Sequence, residues 1–432
     1  MQDPVIVAVL CFALLLALLF ASIWVAIALA MVAVLGFFVT QGSAGLIPFV
    51  PFETLNSFIL TAIPLFIFMG EILVHCGASE MLYRGTSKWL AWAPGGLLHS
   101  NIGACALFAA ISGSSPATAA TIGTVAIPAL KKRGYDAKLT LGSLAGGGTL
   151  GILIPPSISL IVYGMLAEAS VGRLFAGGII PGIILSIMFM AYIGIRAVRN
   201  PQLAPKEEAF SVRSLISSLK DFLPVTILMI IVLGGIFGGL VTPTEAAALG
   251  ASGALLIALG MRRLNWQMLR ESLLSSLETT CMVLFIVTAA SLLASFLGVM
   301  RVPAAFSTLI LGSGLPVMVI LLLIYLLYVF LGCFIDGLSA MVLTMSTVLP
   351  VVLTLGFDPI WFGVILTVLI EVGMLTPPMG INLFVIHGIS GRGLGEVIAG
   401  SVPFFLIMLL GIALFTVFPS LILLLPTLFF GS

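Results

Sequence analysis

Long apolar stretches dominate the chain, separated by short polar clusters rich in Gly, Pro and charge. The runs do not alternate with polar residues, which excludes barrel strands of about ten residues with a period of two. A helix crossing a bilayer needs about 20 mostly apolar residues. By that measure the pattern predicts ten spans, at 4–21, 22–40, 53–76, 137–165, 171–195, 221–241, 243–260, 275–299, 359–388 and 399–425. Two further apolar regions, 97–131 and 317–355, are interrupted near their middles by polar breaks. The breaks are Ser112-Gly113-Ser114-Ser115-Pro116 and Ile335-Asp336-Gly337-Leu338-Ser339. Each half of the first region is about 15 residues, roughly 22 Å of helix, short of a ~30 Å hydrocarbon core. Both regions therefore read as re-entrant hairpins with tips near the midplane, where non-helical backbone must face protein or a water-filled cavity. The predicted fold is an all-α polytopic membrane protein of ten spans plus two re-entrant hairpins.

Composition sharpens this reading. Charged residues are 8% of the 432-residue chain and apolar residues 61%, against roughly 25% charged in a soluble domain. Mean hydropathy is +1.30. This excludes a cytosolic enzyme, a disordered chain and a nucleic-acid binder, and makes membrane lipid the surrounding solvent. The five Cys lie scattered in apolar runs without C-x-x-C spacing and read as small buried hydrophobes. Asp3 is the one early charge, so residues 4–20 read as a retained span rather than a signal peptide. With residue 4 outside and both hairpins returning to their side of entry, fifteen Lys and Arg fall on one face. Arg173 and Arg301 alone fall on the other, which makes the first face cytoplasmic. The clearly polar stretch 196–220 is then a cytoplasmic linker holding Lys206-Glu207-Glu208.

The chain repeats itself at an offset of 222. Pro128 matches Pro350, Gly134 matches Gly356 and Asp136 matches Asp358; Gly151, Leu153 and Pro155-Pro156 match Gly373, Leu375 and Pro377-Pro378. Five spans separate the hairpins, and an odd number inverts the second copy. Lys131-Lys132-Arg133 at the base of the first hairpin have no basic counterpart in 351–358, in keeping with inversion. Inverted repeats with discontinuous helices are the architecture of secondary transporters.

The chemistry concentrates at the breaks. In Gly151-Ile152-Leu153-Ile154-Pro155-Pro156-Ser157 and Gly373-Met374-Leu375-Thr376-Pro377-Pro378-Met379, paired prolines remove two donors and must interrupt their spans. Each break frees carbonyls that can ligate Na⁺ and helix N-termini that can face an anion. The first tip, Ser112 to Thr118, offers four hydroxyls in seven residues and reads as an oxygen-lined ion or carboxylate site. The alternative is that these hydroxyls bond back to the i−4 carbonyl. Asp336 is either a functional intramembrane carboxylate or the cap of the second hairpin helix. Glu371 could instead carry or pair a proton. Thr242-Pro243-Thr244-Glu245 reads as a capping box. Arg84, Lys88, Trp89 and Trp92 place an interfacial helix before the first hairpin. Gly146-Gly147-Gly148-Thr149 lacks the G-K-[ST] ending of a phosphate loop, so no ATP hydrolysis is expected. An intramembrane serine hydrolase built on Ser114 would need a facing His base and leaves the duplicated scaffold without a role.

With these strings in hand, the chain resembles the large membrane subunit of TRAP (tripartite ATP-independent periplasmic) transporters. The resemblance rests on Pro64 to Glu71, Ser112 to Ala119, Gly151 to Ser157, Thr242 to Ala247 and Thr376 to Asn382, and runs almost end to end. It implies a non-enzymatic, Na⁺-driven import of an organic acid across the bacterial inner membrane. It also implies two separate partners, a periplasmic substrate-binding protein and a small four-helix membrane subunit. An elevator mechanism follows, in which a hairpin-bearing transport domain slides against a scaffold. One implied Na⁺ site carries over to Ser112, Ser115, Gly151, Ile154 and Pro156, and the other to Gly332, Gly373, Thr376 and Met379. The substrate is expected between the tips, near Ser114, Ser115, Thr118, Asp336 and Ser339. The expected organisation is 1–52 N-terminal scaffold helices; 53–195 first repeat, with arm 77–95, hairpin 97–131 and broken helix 137–165; and 196–220 linker. Scaffold helices follow at 221–274, then the second, inverted repeat at 275–425, with hairpin 317–355 and broken helix 359–388. A stand-alone Na⁺/carboxylate symporter of the divalent-anion type shares the hairpin architecture and is the alternative.

Overall fold

The computed structural model describes residues 3–40, 45–205 and 212–431, and every regular element among them is helical. Helices α1 (Pro4–Phe20), α2 (Val25–Val39), α3 (Leu46–Leu55), α4 (Ala62–His75) and α5 (Ala78–Leu90) lead into a first hairpin, α6 (Leu97–Ser112) and α7 (Ser115–Lys132). A broken helix, α8 (Ala137–Gly148) and α9 (Ile158–Leu166), and the long α10 (Val171–Arg199) follow. Next come α11 (Val212–Phe237), α12 (Pro243–Gly260), α13 (Trp266–Val299) and α14 (Val302–Gly312). The second hairpin is α15 (Val317–Gly332) and α16 (Gly337–Thr354); the second broken helix is α17 (Pro359–Met374) and α18 (Ile381–Ser390). Helices α19 (Leu394–Val417) and α20 (Ser420–Phe430) end the described chain.

The local chemistry explains the starts. Thr242 caps α12 and accepts from the Glu245 N–H at 3.3 Å, while Glu245 accepts from the Thr242 N–H at 2.7 Å, the capping box read from the sequence. Asp136 caps α8 through the Leu139 N–H, and Asp358 caps α17 through the N–H groups of Ile360 and Trp361. Adding 222 to the bounds of α7 gives 337 and 354, the bounds of α16; adding it to 137 gives 359, the start of α17. Gly134 and Gly356 both take positive φ in the turns before those helices.

Several boundaries differ from the expected ones. The span expected at 53–76 starts at Leu46 and bends by 56° between α3 and α4. Its counterpart α13 is continuous over 34 residues and starts at Trp266 rather than 275. Nothing in Trp266 to Leu274 interrupts a helix, and Asn265 caps it through the Met268 N–H at 2.9 Å, so helix extends beyond the apolar run. Helix α14 was not expected; 222 added to the bounds of α5 gives 300 and 312, so it stands at the arm's position under that offset, without the arm's charges. The span expected at 399–425 starts at Leu394 and divides at Phe418-Pro419 into α19 and α20. The linker expected at 196–220 is helical from Val212, and there Asp221 receives Arg84 and Lys88 of α5 at 3.0 and 3.6 Å. Lys206-Glu207-Glu208 lie outside the described residues.

Six described helices are long and apolar enough to cross a bilayer, or seven if the bent α3–α4 pair is one span. The six include α16, an arm of the expected second hairpin; the ten expected spans instead counted α1, α2 and the two broken helices, whose segments are individually too short. The core packs α12 against α4, α13 against α2 and α4, and α8 against α6 and α19. Each hairpin packs on the broken helix that follows it, and α17 also reaches the first break.

Candidate functional site

Two junctions form where the hairpin tips meet the helix breaks. At the first, α6 ends on Gly113 at φ +57°, and Ser114, in extended conformation, opens α7. Helix α8 tightens into a 3₁₀ turn over Thr149–Ile152, and Ser157 caps α9 through the Leu160 N–H at 3.3 Å. The break contains the cis peptide Pro155-Pro156. The tip lies directly on the break: a Cβ on Gly151 would stand 2.6 Å from the Ser114 carbonyl oxygen and 2.7 Å from the Ser115 Cα. A Cβ on Gly113 would stand 2.9 Å from the Pro156 carbonyl oxygen. Ser112, Ser115, Gly151 and Pro156 are thereby brought together. The Ile154 side chain turns away to pack where a Cβ on Gly182 of α10 would be.

The second junction uses the equivalent break, Gly373 standing 222 residues after Gly151, but a different part of its hairpin, since Gly332 corresponds to Ala110 rather than to Ser114 or Ser115. A Cβ on Gly332 would stand 2.8 Å from the Gly373 Cα, and the Met379 N–H donates to the Cys333 carbonyl at 3.2 Å. Gly332, Gly373 and Met379 therefore meet across backbone, and Thr376 lies on the same turn with its hydroxyl donating to the Val372 carbonyl at 2.7 Å. The first break is buried around Pro155-Pro156, whereas Pro377, Pro378 and Met379 are exposed.

The tip hydroxyls divide. The Thr118 hydroxyl donates to the Ser114 carbonyl at 2.8 Å, the i−4 back-bond weighed from the sequence, and lies 2.7 Å from the Ser112 hydroxyl. Ser115 instead donates across the molecule to Oε1 of Glu371 on α17. At the second tip Asp336 caps α16: its carboxylate accepts from the Ser339 N–H at 3.0 Å and from the Ser339 hydroxyl. Its geometry is thus that of the cap, the second of the two sequence readings. No hydrogen bond among the described residues joins Ser114, Ser115 or Thr118 to Asp336 or Ser339.

Two residues outside the expected set stand out. Glu371 is fully buried with Oε2 unpartnered, and Asn382, at the start of α18, is fully buried with neither amide atom partnered. An amide so soon after a Pro-Pro break was a visible signal that drew no role. His75, His99 and His387 contact the carbonyls of Glu71, Pro94 and Arg392, and among the described residues none hydrogen-bonds Ser114. Among the described residues no three His, Cys, Asp or Glu gather to hold a metal ion.

The chain matches a known family. The family profile described as "Tripartite ATP-independent periplasmic transporter, DctM component" matches residues 12–421. The C4-dicarboxylate TRAP transporter large permease protein DctM of Pseudomonas aeruginosa is 36% identical over 377 residues, 87% of this chain and 88% of that protein. The sialic acid TRAP transporter large permease protein SiaM of Vibrio cholerae is 33% identical over 96% of this chain and 97% of its own length. Among solved structures, the YdaH transporter of Alcanivorax borkumensis superposes with a TM-score of 0.62 over 86% of this chain and 88% of its own, at 14% identity, a likeness of fold.

Proposed function

The chain belongs to the DctM family of tripartite ATP-independent periplasmic transporters, a multi-pass transporter permease and not an enzyme, and from this we propose that it imports an organic acid driven by Na⁺. A periplasmic binding protein delivers the acid, a small membrane subunit completes the permease, and the membrane is the bacterial inner membrane. The observation that carries the reading is the pair of tip-on-break junctions, whose breaks stand 222 residues apart. Two such junctions in copies of opposite orientation offer one site to each face in turn, and an elevator movement of the hairpins against the remaining helices would expose it. Carbonyl and hydroxyl oxygens suit a hard monovalent cation. Ser112, Ser115, Gly151, Ile154 and Pro156 would hold one Na⁺, and Gly332, Gly373, Thr376 and Met379 the other. Relatives named for C4-dicarboxylates and for sialic acid share a carboxylate, which favours that chemical class.

The test is uptake into proteoliposomes holding this chain with its small subunit. Candidate acids are offered under an inward Na⁺ gradient, with and without the binding protein. Uptake that requires both gradient and binding protein is expected. Uptake of free acid alone would make the chain a stand-alone symporter, and uptake on a proton gradient without Na⁺ would remove Na⁺ as the coupling ion.

A further inference from the structure

We propose that Glu371 supplies the anionic ligand of the first cation site, so that one cation is held by a carboxylate and the other by neutral oxygens alone. This rests on the Na⁺ reading above and adds a residue from the opposite repeat to it. Glu371 lies on α17, in the second copy, yet Ser115 at the tip of the first hairpin donates to its Oε1. Ser115 and Glu371 are both fully buried, and α17 packs on the 3₁₀ turn of the first break. Oε2 has no partner, and among the described residues no basic side chain pairs with this carboxylate. A buried carboxylate with an open oxygen is costly unless a proton or a cation neutralises it, and the open oxygen suits the cation. The open oxygen lies at the junction whose carbonyls and Ser115 hydroxyl are already the candidate ligands.

The repeat shows that the charge is placed on one side only. Subtracting 222 from 371 gives Thr149, whose hydroxyl donates to the Gly146 carbonyl within its own turn at 2.6 Å. The second junction therefore receives no carboxylate from the equivalent position. Asp336, the nearest acidic residue in that hairpin, has one oxygen on the Ser339 N–H and the other on the Ser339 hydroxyl. The two scaffolds match while their charges do not.

The experiment follows thermal unfolding of the purified full chain as NaCl replaces choline chloride at constant ionic strength. The unaltered chain, Glu371→Gln and Gly388→Ala are compared. A cation that binds only the folded state raises Tm with concentration. Glu371→Gln should raise the Na⁺ midpoint on the order of tenfold or more, because cation affinity follows the charge of the ligand set. Gly388→Ala, whose added Cβ meets nothing within 4 Å, should leave that response in place. An unchanged midpoint in folded Glu371→Gln overturns the proposal. No Na⁺ response in the unaltered chain overturns the Na⁺ reading beneath it instead. Should the Gln variant fail to fold, infrared difference spectra of the unaltered chain, Na⁺ minus choline, take its place. A shifted carboxylate stretch is expected, and its absence overturns the assignment.

Discussion

Ser115 and Thr118 sit one helical turn apart, yet their hydroxyls choose different acceptors. Thr118 returns its proton to its own helix, while Ser115 spends its proton on Glu371, 256 positions along the chain. Ser115→Ala therefore leaves a buried carboxylate oxygen without its donor, a loss of about 1–3 kcal/mol. Tm should fall accordingly, and the Na⁺ concentration giving half-maximal uptake should rise. An unchanged half-saturation in a folded Ser115→Ala would remove Ser115 from the cation site. The cluster of four hydroxyls beside Gly113-Ser114 was legible, because polar residues in an apolar run are conspicuous. Which hydroxyl faces inward was not legible, since the acceptor of Ser115 comes from a distant helix. Glu371 was visible as a lone carboxylate, but its position at the first junction rather than the second depends on how α17 packs.

At the scale of elements, hairpins and breaks could be read because proline and glycine act locally. Paired prolines interrupt any helix that contains them, and α8–α9 and α17–α18 divide where the sequence indicates. Helix ends without such punctuation were harder. Helix α14 is short and apolar without a charge or Trp to mark it, and α13 continues beyond its apolar run because nothing stops it. The close approach of Gly332 to Gly373 gives an element-level prediction. Alanine at 373 would set a methyl 2.6 Å from the Gly332 Cα, backbone that cannot swing aside. Gly373→Ala should lose about 1–3 kcal/mol through overpacking and weaken the Na⁺ response. Gly388→Ala is the control: nothing lies within 4 Å of its added Cβ, so Tm should hold or rise slightly. Equal Tm and Na⁺ midpoints for the two variants would mean that the second tip does not depend on this contact.

For the whole molecule, elements that recur at an offset of 222 provide a matched frame, and their side chains differ within it. Position 371 carries a carboxylate where position 149 carries a hydroxyl. With Glu371 as ligand, the consequence is electrical. The first junction is neutral when its cation is bound and bears one negative charge when it is empty and no proton takes the cation's place. Carrying one elementary charge through the membrane potential is worth about 2.3 kcal/mol per 100 mV. A potential negative inside pushes the empty, negative form outward and leaves the filled junction untouched. Through this junction voltage acts on the return stroke, whereas on the loaded stroke it acts through the second cation, held by neutral oxygens, and the anionic cargo. In Glu371→Gln the charge leaves the empty form, and the loaded form should gain one positive charge that a potential negative inside draws inward.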